Sequence, residues 1–532
     1  MVAAWLVLAA GLGVYCNSGS VPFLFDDVLW IAENPHIRQL WPLWPVLMSS
    51  PQSQVALRPV VNLTLALNYA AGGLHVFGYH LVNLAIHLLA ALTLYGLVRR
   101  TLALPSAARG GSGRRAEGVA LAVALLWVVH PLTTESVTYL IQRAESLMGL
   151  CYLVTLYSVI RGWPKRAILA CALGMATKPV MVTAPLLVVL YDRCFLAGSV
   201  RAAWRQRRSL YLGLAATWGL LGVLLTLTVT HHDPTVGLAL RHITPVQYLL
   251  TQPGVILHYL RLACWPHPLI LDYHWPVATD PAAMLLPLLV TGALVIATLW
   301  ALRRHPPLGF LGAWVFGILA PSSSIIPIAD IAVEHRMYLP LAGLLVLAVL
   351  ALERLLYRAV AAPALRARLA IGLLAAAAVA LGATTLRRNA VYRDPVALWQ
   401  ATTAARPDNP RAHNNLGLAL AQRGQLAEAT ARFAHAASLD PDYAQAHNNL
   451  GIALAKQGRL EEAVAHYRRA LALEPGYAKA HNNLAVSLAR QGKLDEAIAH
   501  YAEALRLRPG FVEAEANLAR AQAALDGRIS AR

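Results

Sequence analysis

Through the first three quarters of the chain, long apolar runs alternate with short arginine-bearing stretches; the last quarter instead mixes apolar and polar residues at helical spacing. A bilayer-crossing helix needs about 20 predominantly apolar residues, because unpaired backbone amides are prohibitive in hydrocarbon. Windows at 2–17, 79–98, 117–132, 145–160, 166–177, 178–195, 209–230, 281–302, 307–321, 338–357 and 369–386 meet that pattern and predict about eleven spans. The first has the length of a signal segment but lacks a basic start and a small-residue cleavage site, so it reads as a span. Two further stretches, 36–75 and 244–271, are semi-apolar and rich in Pro, Trp and His, which suits helices lying at the interface, with a partial twelfth span at 246–264.

From Asp394 the pattern becomes a 34-residue repeat: His413-Asn414-Asn415-Leu416-Gly417, His447-Asn448-Asn449-Leu450-Gly451, His481-Asn482-Asn483-Leu484-Ala485. Ala429, Ala463 and Ala497 recur in the second half of each unit, Phe433, Tyr467 and Tyr501 follow four later, and Pro441, Pro475 and Pro509 close the units. This is the tetratricopeptide pattern, in which small residues let paired helices approach and an aromatic ring fills the space between neighbours. The predicted architecture is therefore all-α: a polytopic membrane bundle over 1–390 and a tetratricopeptide α-solenoid over 391–532.

Composition and charge sharpen this reading. With 57% hydrophobic and 14% charged residues, the chain is too apolar for an ordinary soluble enzyme. The net charge of +18 is not a nucleic-acid signature, since only 17 basic and 14 acidic residues lie from Val391 on and the excess sits between apolar runs. Its clusters, Arg99-Arg100, Arg109 to Arg115, Arg161 to Arg166, Arg201 to Arg208 and Arg303-Arg304, mark cytoplasmic loops. Residues 18–78, 231–280, 322–337 and the repeats then fall outside the cytoplasm. The Gly- and Ser-bearing loop from Arg109 to Arg115 reads as flexible. None of the five cysteines has metal-ligand spacing, and neither a disulfide framework nor a metal site is expected.

Candidate chemistry collects on the outer side. Asp26 and Asp27 follow the first span, and adjacent acids at the mouth of a bundle are costly unless their charge is used; one of them suits a general base on an acceptor hydroxyl, the alternative being a solvated turn. Arg58, His80, His87, His130, Glu135, Arg143, Glu145, Glu334, Arg336 and Tyr338 converge from five separate segments. An arginine there suits a lipid phosphate, which its planar fork grips through two bonds. Lys178, inside the apolar stretch 166–195, needs a carboxylate, a phosphate or a wet cavity; pairing with Asp192 requires the chain to fold back. In the repeats, Asn415, Asn449, Asn483 and Asn517 are predicted to line the concave face and bind an extended acceptor peptide through amide groups that match a peptide backbone, while Asn414, Asn448 and Asn482 serve packing between units.

Phe25-Asp26-Asp27, Arg58-Pro59, Asn68-Tyr69 with Tyr79 to Asn83, His130-Pro131 with Thr134-Glu135, Arg143-Ala144-Glu145, Tyr191-Asp192 and Glu334 to Pro340, in that order, resemble the transmembrane and tetratricopeptide repeat-containing O-mannosyltransferases. The resemblance implies a bundle of the GT-C type, Asp26 as leading member of the acidic pair and base, and Arg58, Arg143 and Arg336 as holders of the donor phosphate. It further implies a polyprenyl-phosphate mannose donor, inverting transfer to a Ser or Thr hydroxyl, and no metal or other cofactor. His335 and the short repeat array depart from the pattern and leave sugar and acceptor open. The Ala, Leu and Arg bias suggests a GC-rich bacterial gene, for which the outer side is the periplasm. Expected partners are the bilayer, the lipid-linked sugar and a protein acceptor, not nucleic acid. The alternatives are transfer to a lipid or glycan, and a non-catalytic membrane scaffold, which would need neither the acidic pair nor the outer arginines.

Overall fold

The computed structural model describes residues 2–48, 58–105, 113–229 and 243–530. It is helical, with no β-strand among those residues, and separates into two compact units: residues 1–271 with 275–394, and 272–274 with 395–532. The Arg109 loop falls largely on residues 106–112, outside the described residues.

The first unit contains α1 (Val2–Val14), α2 (Leu43–Leu47), α3 (Pro59–Gly72), α4 (Val76–Leu102), α5 (Gly113–Val128), α6 (Thr134–Thr138), α7 (Arg143–Ile160) and α8 (Pro164–Met175). It continues with α9 (Ala184–Tyr191), α10 (Val200–Val229), α11 (Pro245–Cys264), α12 (Pro281–Arg304), α13 (Pro306–Leu319), α14 (Pro340–Ala359) and α15 (Pro363–Tyr392). Proline opens many of these helices, where its missing N–H would be unpaired anyway and its fixed φ already suits the helix. A Thr244–Gln247 capping box starts α11.

Among the described residues, six segments are long and apolar enough to cross a membrane: Val76–Leu102, Pro179–Leu196, Val200–Leu227, Pro281–Arg304, Pro340–Ala359 and Pro363–Tyr392. A seventh arises if Gly113–Val128 and Pro131–Thr138, bent by 55°, count together. This is fewer than the eleven apolar windows, for local reasons. The helices in the windows at 2–17 and 307–321 are only 13 and 14 residues long. The window at 117–132 breaks at Pro131, which cannot continue a helix. That at 145–160 lies in α7, whose first turn carries Arg143 and Glu145. Leu285, Leu286, Leu289 and Ile296 on α12 and Ile371 and Val379 on α15 are exposed. Such apolar surface needs lipid, and the chain is a membrane protein.

The second unit stacks α17 (Pro410–Gln422) with α18 (Leu426–Leu439), α19 (Ala444–Lys456) with α20 (Leu460–Leu473), and α21 (Ala478–Arg490) with α22 (Leu494–Leu507). Helix α16 (Pro395–Ala405) precedes them and α23 (Val512–Ser530) follows. Gly424, Gly458 and Gly492 turn the chain inside each pair at φ of 80°, 83° and 81°, a region costly for residues with a Cβ. A Cβ at Gly417 would meet the Phe433 ring at 2.6 Å and one at Gly451 the Tyr467 ring at 2.7 Å, so each glycine admits the aromatic that defines the repeat.

Candidate active site

The acidic pair sits on a tight turn between α1 and the segment that follows. Phe25 has φ of 44°, unusual for a bulky residue, and the Asp27 N–H closes the turn on the Leu24 carbonyl at 2.8 Å. Asp27 holds this strained backbone: its fully buried carboxyl accepts from the Leu24 N–H at 3.1 Å and, across 114 positions, from the Ile141 N–H at 2.7 Å. Burial pushes the Asp27 carboxyl up to about 8, opposed by those backbone donors and reinforced by the neighbouring Asp26 charge. Asp26 is half-buried, and its N–H donates to the Tyr139 hydroxyl at 3.1 Å, so the phenol stands beside its carboxyl. One acid of the pair is committed to backbone amides; its neighbour faces a phenol instead.

The three arginines part company. Arg143 is fully buried, donating to Asn83 Oδ1 at 2.6 Å, to Thr64 Oγ1 at 3.4 Å and to the Tyr79 carbonyl at 3.0 Å, with its guanidinium over the Tyr79 ring. Asn83 in turn donates to the Val137 carbonyl at 3.1 Å, tying α4 to α6. In this setting Arg143 joins helices near Asp27 rather than opening toward a ligand. Arg336 donates to the carbonyls of Ser322 at 3.2 Å, Ile331 at 2.8 Å and Asp330 at 2.6 Å, which ties down the loop before its own turn. Arg58, half-buried, is the residue immediately before α3, makes no capping bond through its side chain, and lies within electrostatic range of Lys178. The Val60 N–H bond to the Ala176 carbonyl at 3.2 Å draws these two segments together.

Lys178 and Glu145 form an ion pair in which the Glu145 side chain is 3% exposed and the Lys178 side chain 14% exposed. Asp192, the partner weighed from sequence, instead accepts from Arg207 at 3.2 Å and from the Tyr211 hydroxyl. Glu135 binds both the His335 N–H at 3.0 Å and His335 Nδ1 at 2.8 Å. His335 lies within electrostatic range of Lys178, Glu145 and Arg336, so Glu135, Glu145, Lys178, His335, Arg336 and Arg58 make one charged cluster from four regions of sequence. Glu334 turns away from it, accepting from the Ile270 N–H at 2.6 Å and Arg388 at 3.4 Å.

Three more candidates have structural tasks. His80 meets the Val21 carbonyl at 2.8 Å and anchors the stretch leading to the acidic turn. His130 caps the short turn after Pro131 through the Leu132 N–H at 3.2 Å and meets the Ala263 carbonyl at 3.2 Å. The Tyr338 hydroxyl lies 3.0 Å from His87 Nδ1 in a sealed aromatic knot with Trp127. Sequence reasoning passed over Tyr139, which carries no charge, and gave no role to His335, whose partner Glu135 is 200 positions away.

In the repeats the asparagines bind one another. Asn449 donates to Asn414 at 2.8 Å, Asn483 to Asn448 at 3.0 Å and Asn517 to Asn482 at 3.0 Å, each bond joining consecutive units. Within units Asn414 donates to Asn415 at 3.4 Å and Asn448 to Asn449 at 3.3 Å. Both asparagine columns therefore form a single ladder, and those marked for a peptide spend part of their amides on it. Asn415 is buried, whereas Asn449, Asn483 and Asn517 are half-buried and keep an accessible edge.

Comparison with known proteins agrees with both halves of the chain. The tetratricopeptide-repeat family matches residues 449–510, and a second TPR-repeat family matches 419–458. A Caenorhabditis elegans chain named protein O-mannosyl-transferase F38B6.6 is 26% identical over 79% of this chain and 60% of its own length. Protein O-mannosyl-transferase Tmtc3 of Drosophila melanogaster is 34% identical over 30% of this chain and 20% of its own length, and human protein O-mannosyl-transferase TMTC1 is 32% identical over 29% and 18%. The chain thus spans about a fifth of the fly and human relatives and three fifths of the nematode one. Among solved structures, MamA is 25% identical over 25% of this chain and 77% of its own, at a TM-score of 0.24. A thermophilic TPR protein of Thermus thermophilus is 24% identical over 29% and 96%, at 0.23.

Proposed function

Since this chain is a relative of the transmembrane and tetratricopeptide repeat-containing O-mannosyltransferases, we propose that it is a membrane glycosyltransferase passing mannose from a polyprenyl-phosphate donor to Ser or Thr hydroxyls of a protein outside the cytoplasm. The observation that carries this reading is the division of labour in the acidic pair: Asp27 is consumed by two backbone amides while Asp26, on the same strained turn, faces a phenol at the mouth of the bundle. A scaffold gains nothing from such a turn.

In the proposed reaction the acceptor oxygen attacks the anomeric carbon of the sugar from the face opposite the phosphate. The bond from that carbon to the phosphate oxygen breaks as the new glycosidic bond forms, the configuration inverts, and the hydroxyl proton passes to Asp26. Polyprenyl phosphate leaves with the electron pair. Lys178 and Arg58, neighbouring cations, suit the leaving phosphate, with Glu145 and Glu135–His335 fixing their surroundings. The reading calls for no metal.

Reading the arginine-rich loops as cytoplasmic supports an outer location for the acidic turn and the repeats, the periplasm if the chain is bacterial. The repeats then hold the acceptor. The purified full-length chain, given a panel of polyprenyl-phosphate sugars with a protein and a minimal hydroxyl acceptor, should transfer mannose to the protein. Transfer only to a lipid or glycan, or no transfer with any donor, overturns the reading.

A further inference from the structure

Helix α4 serves as a ruler across the first unit. His80 and Asn83 lie at the level of the acidic turn, and Val98 stands 15 residues further on, about 22 Å along the axis at 1.5 Å per residue. At that far end opens a cavity of about 1370 Å³. This is larger than the roughly 300–1,000 Å³ typical of small-molecule pockets. Its wall is mostly apolar, with Leu97 and Val98 of α4, Leu156 of α7, Phe310 of α13, and Leu347 and Leu350 of α14. Toward the acidic turn it is stopped by Trp314, whose ring sits over Gly343 where a Cβ would come to 2.7 Å, and whose Nε1 donates to the Leu339 carbonyl at 2.8 Å. The cavity therefore belongs to the leaflet away from Asp26.

Its polar lining is cationic. Arg115 is neutralised by a two-pronged bond to Glu353, both contacts 2.7 Å. Arg304 and Arg354 also line the cavity, are exposed, and form no ion pair among the described residues. Two uncompensated guanidinium groups beside a large apolar void match an amphiphile with an anionic head, and basic pockets between membrane helices are where anionic lipid headgroups bind. We infer that this cavity binds an anionic diacyl phospholipid of the leaflet opposite the acidic turn, with acyl chain against α4, α13 and α14 and phosphate at Arg304 and Arg354. A polyprenyl-phosphate donor belongs at the other end of α4, so the inference stands apart from the proposed transfer reaction.

The test places the full-length chain in nanodiscs of equal phosphatidylglycerol and phosphatidylcholine and measures the lipids retained after detergent release by native mass spectrometry. Phosphatidylglycerol should be enriched, at most by about 25-fold if each of two cations contributes about fivefold. R304Q with R354Q should bring the ratio toward parity with the number of bound lipids unchanged. Leu347→Trp, which fills the cavity while leaving both arginines in place, should lower that number. Equal retention of the two lipids by the unaltered chain, or enrichment that survives both variants in protein with unchanged melting, overturns the assignment, as does retention of added polyprenyl phosphate in preference to phosphatidylglycerol.

Discussion

Replacing each acid of the Asp26–Asp27 pair by its amide separates chemistry from architecture. Asp27→Asn retains one carbonyl oxygen but turns an NH2 group toward a backbone N–H, so either the Leu24 or the Ile141 amide loses its acceptor in a buried place. With its carboxyl pushed up to about 8, Asp27 is mostly neutral near pH 7; a neutral hydrogen bond contributes about 0.5–1.5 kcal/mol, and an orphaned buried donor costs about 1–3 kcal/mol. The expected outcome is a protein destabilised by about 1–3 kcal/mol, with turnover per folded molecule reduced only modestly. Asp26→Asn leaves those two bonds intact and removes the proposed base. Melting and expression should match the parent, while transfer should fall by about 10²–10⁴, the range for general-base catalysis. That loss corresponds to about 3–5 kcal/mol of activation free energy. The assay is initial-rate transfer from labelled polyprenyl-phosphate mannose in membranes matched for folded protein, beside thermal melts in detergent. Near-normal turnover by the Asp26 variant would falsify the assignment of the base; an Asp27 variant that melts normally yet turns over more slowly than the Asp26 variant would reverse the two roles.

Arg143→Lys retains the charge but cannot span Asn83, Thr64 and the Tyr79 carbonyl at once, so melting should drop by an amount equivalent to roughly 1.5–3 kcal/mol per unmade bond, and an unchanged melt would refute the joining role. Changing Asn414, Asn448 and Asn482 together to Ala removes three bonds between units at about 0.5–1.5 kcal/mol each, and should speed hydrogen exchange across α17 to α22; exchange confined to one helix would count against a ladder. In the second unit Asp272 is held down at about 2: burial alone would raise it, but Arg411, bonded at 2.6 Å, outweighs burial. A depressed carboxyl contributes stability above its unfolded value near 3.9 and loses it as pH falls through about 2. Since Arg411 is a third exposed, the contribution is discounted to about 1–2 kcal/mol, and the melting difference between parent and Asp272→Asn should shrink from pH 6 toward pH 3; a difference independent of pH would exclude the pair. In a background without the native cysteines, Cys at Ala412 should label from outside sealed cells and Cys at Arg205 should not, whereas the reverse would invert the membrane orientation.

What could be read from sequence was whatever repeats or stands next to itself. The 34-residue period, the apolar runs and the adjacent acids are local patterns, and helices, repeats and acidic turn follow from them. The partners of polar groups are not local. Arg143 and Arg336 looked alike as phosphate binders, but one is spent on Asn83 and Thr64 and the other on carbonyls of the preceding loop. From sequence, Lys178 needs a carboxylate, a phosphate or a wet cavity, with Asp192 in reach only if the chain folds back; packing of α7 beside α8 presents Glu145 instead. Apolar composition does not reveal a helix break at Pro131 or a helix that stops at Val14. The asparagine columns were assigned separate tasks because a repeat seen one unit at a time hides the bond each residue makes to the next.

That ladder has a direction. Every rung between units runs from the later unit to the earlier: Asn449 to Asn414, Asn483 to Asn448, Asn517 to Asn482. At the far end Arg520 donates to Asn517 at 2.6 Å, and at the near end the Asn415 amide nitrogen is buried with no acceptor among the described residues. A one-way zipper of identical rungs is indifferent to how many it has. Removing or duplicating any whole 34-residue unit rejoins donor to acceptor with no new chemistry at the junction, whereas an insertion of any other length strands two amides in the interior. Selection can therefore lengthen or shorten the array in whole steps without any change to the membrane half of the chain.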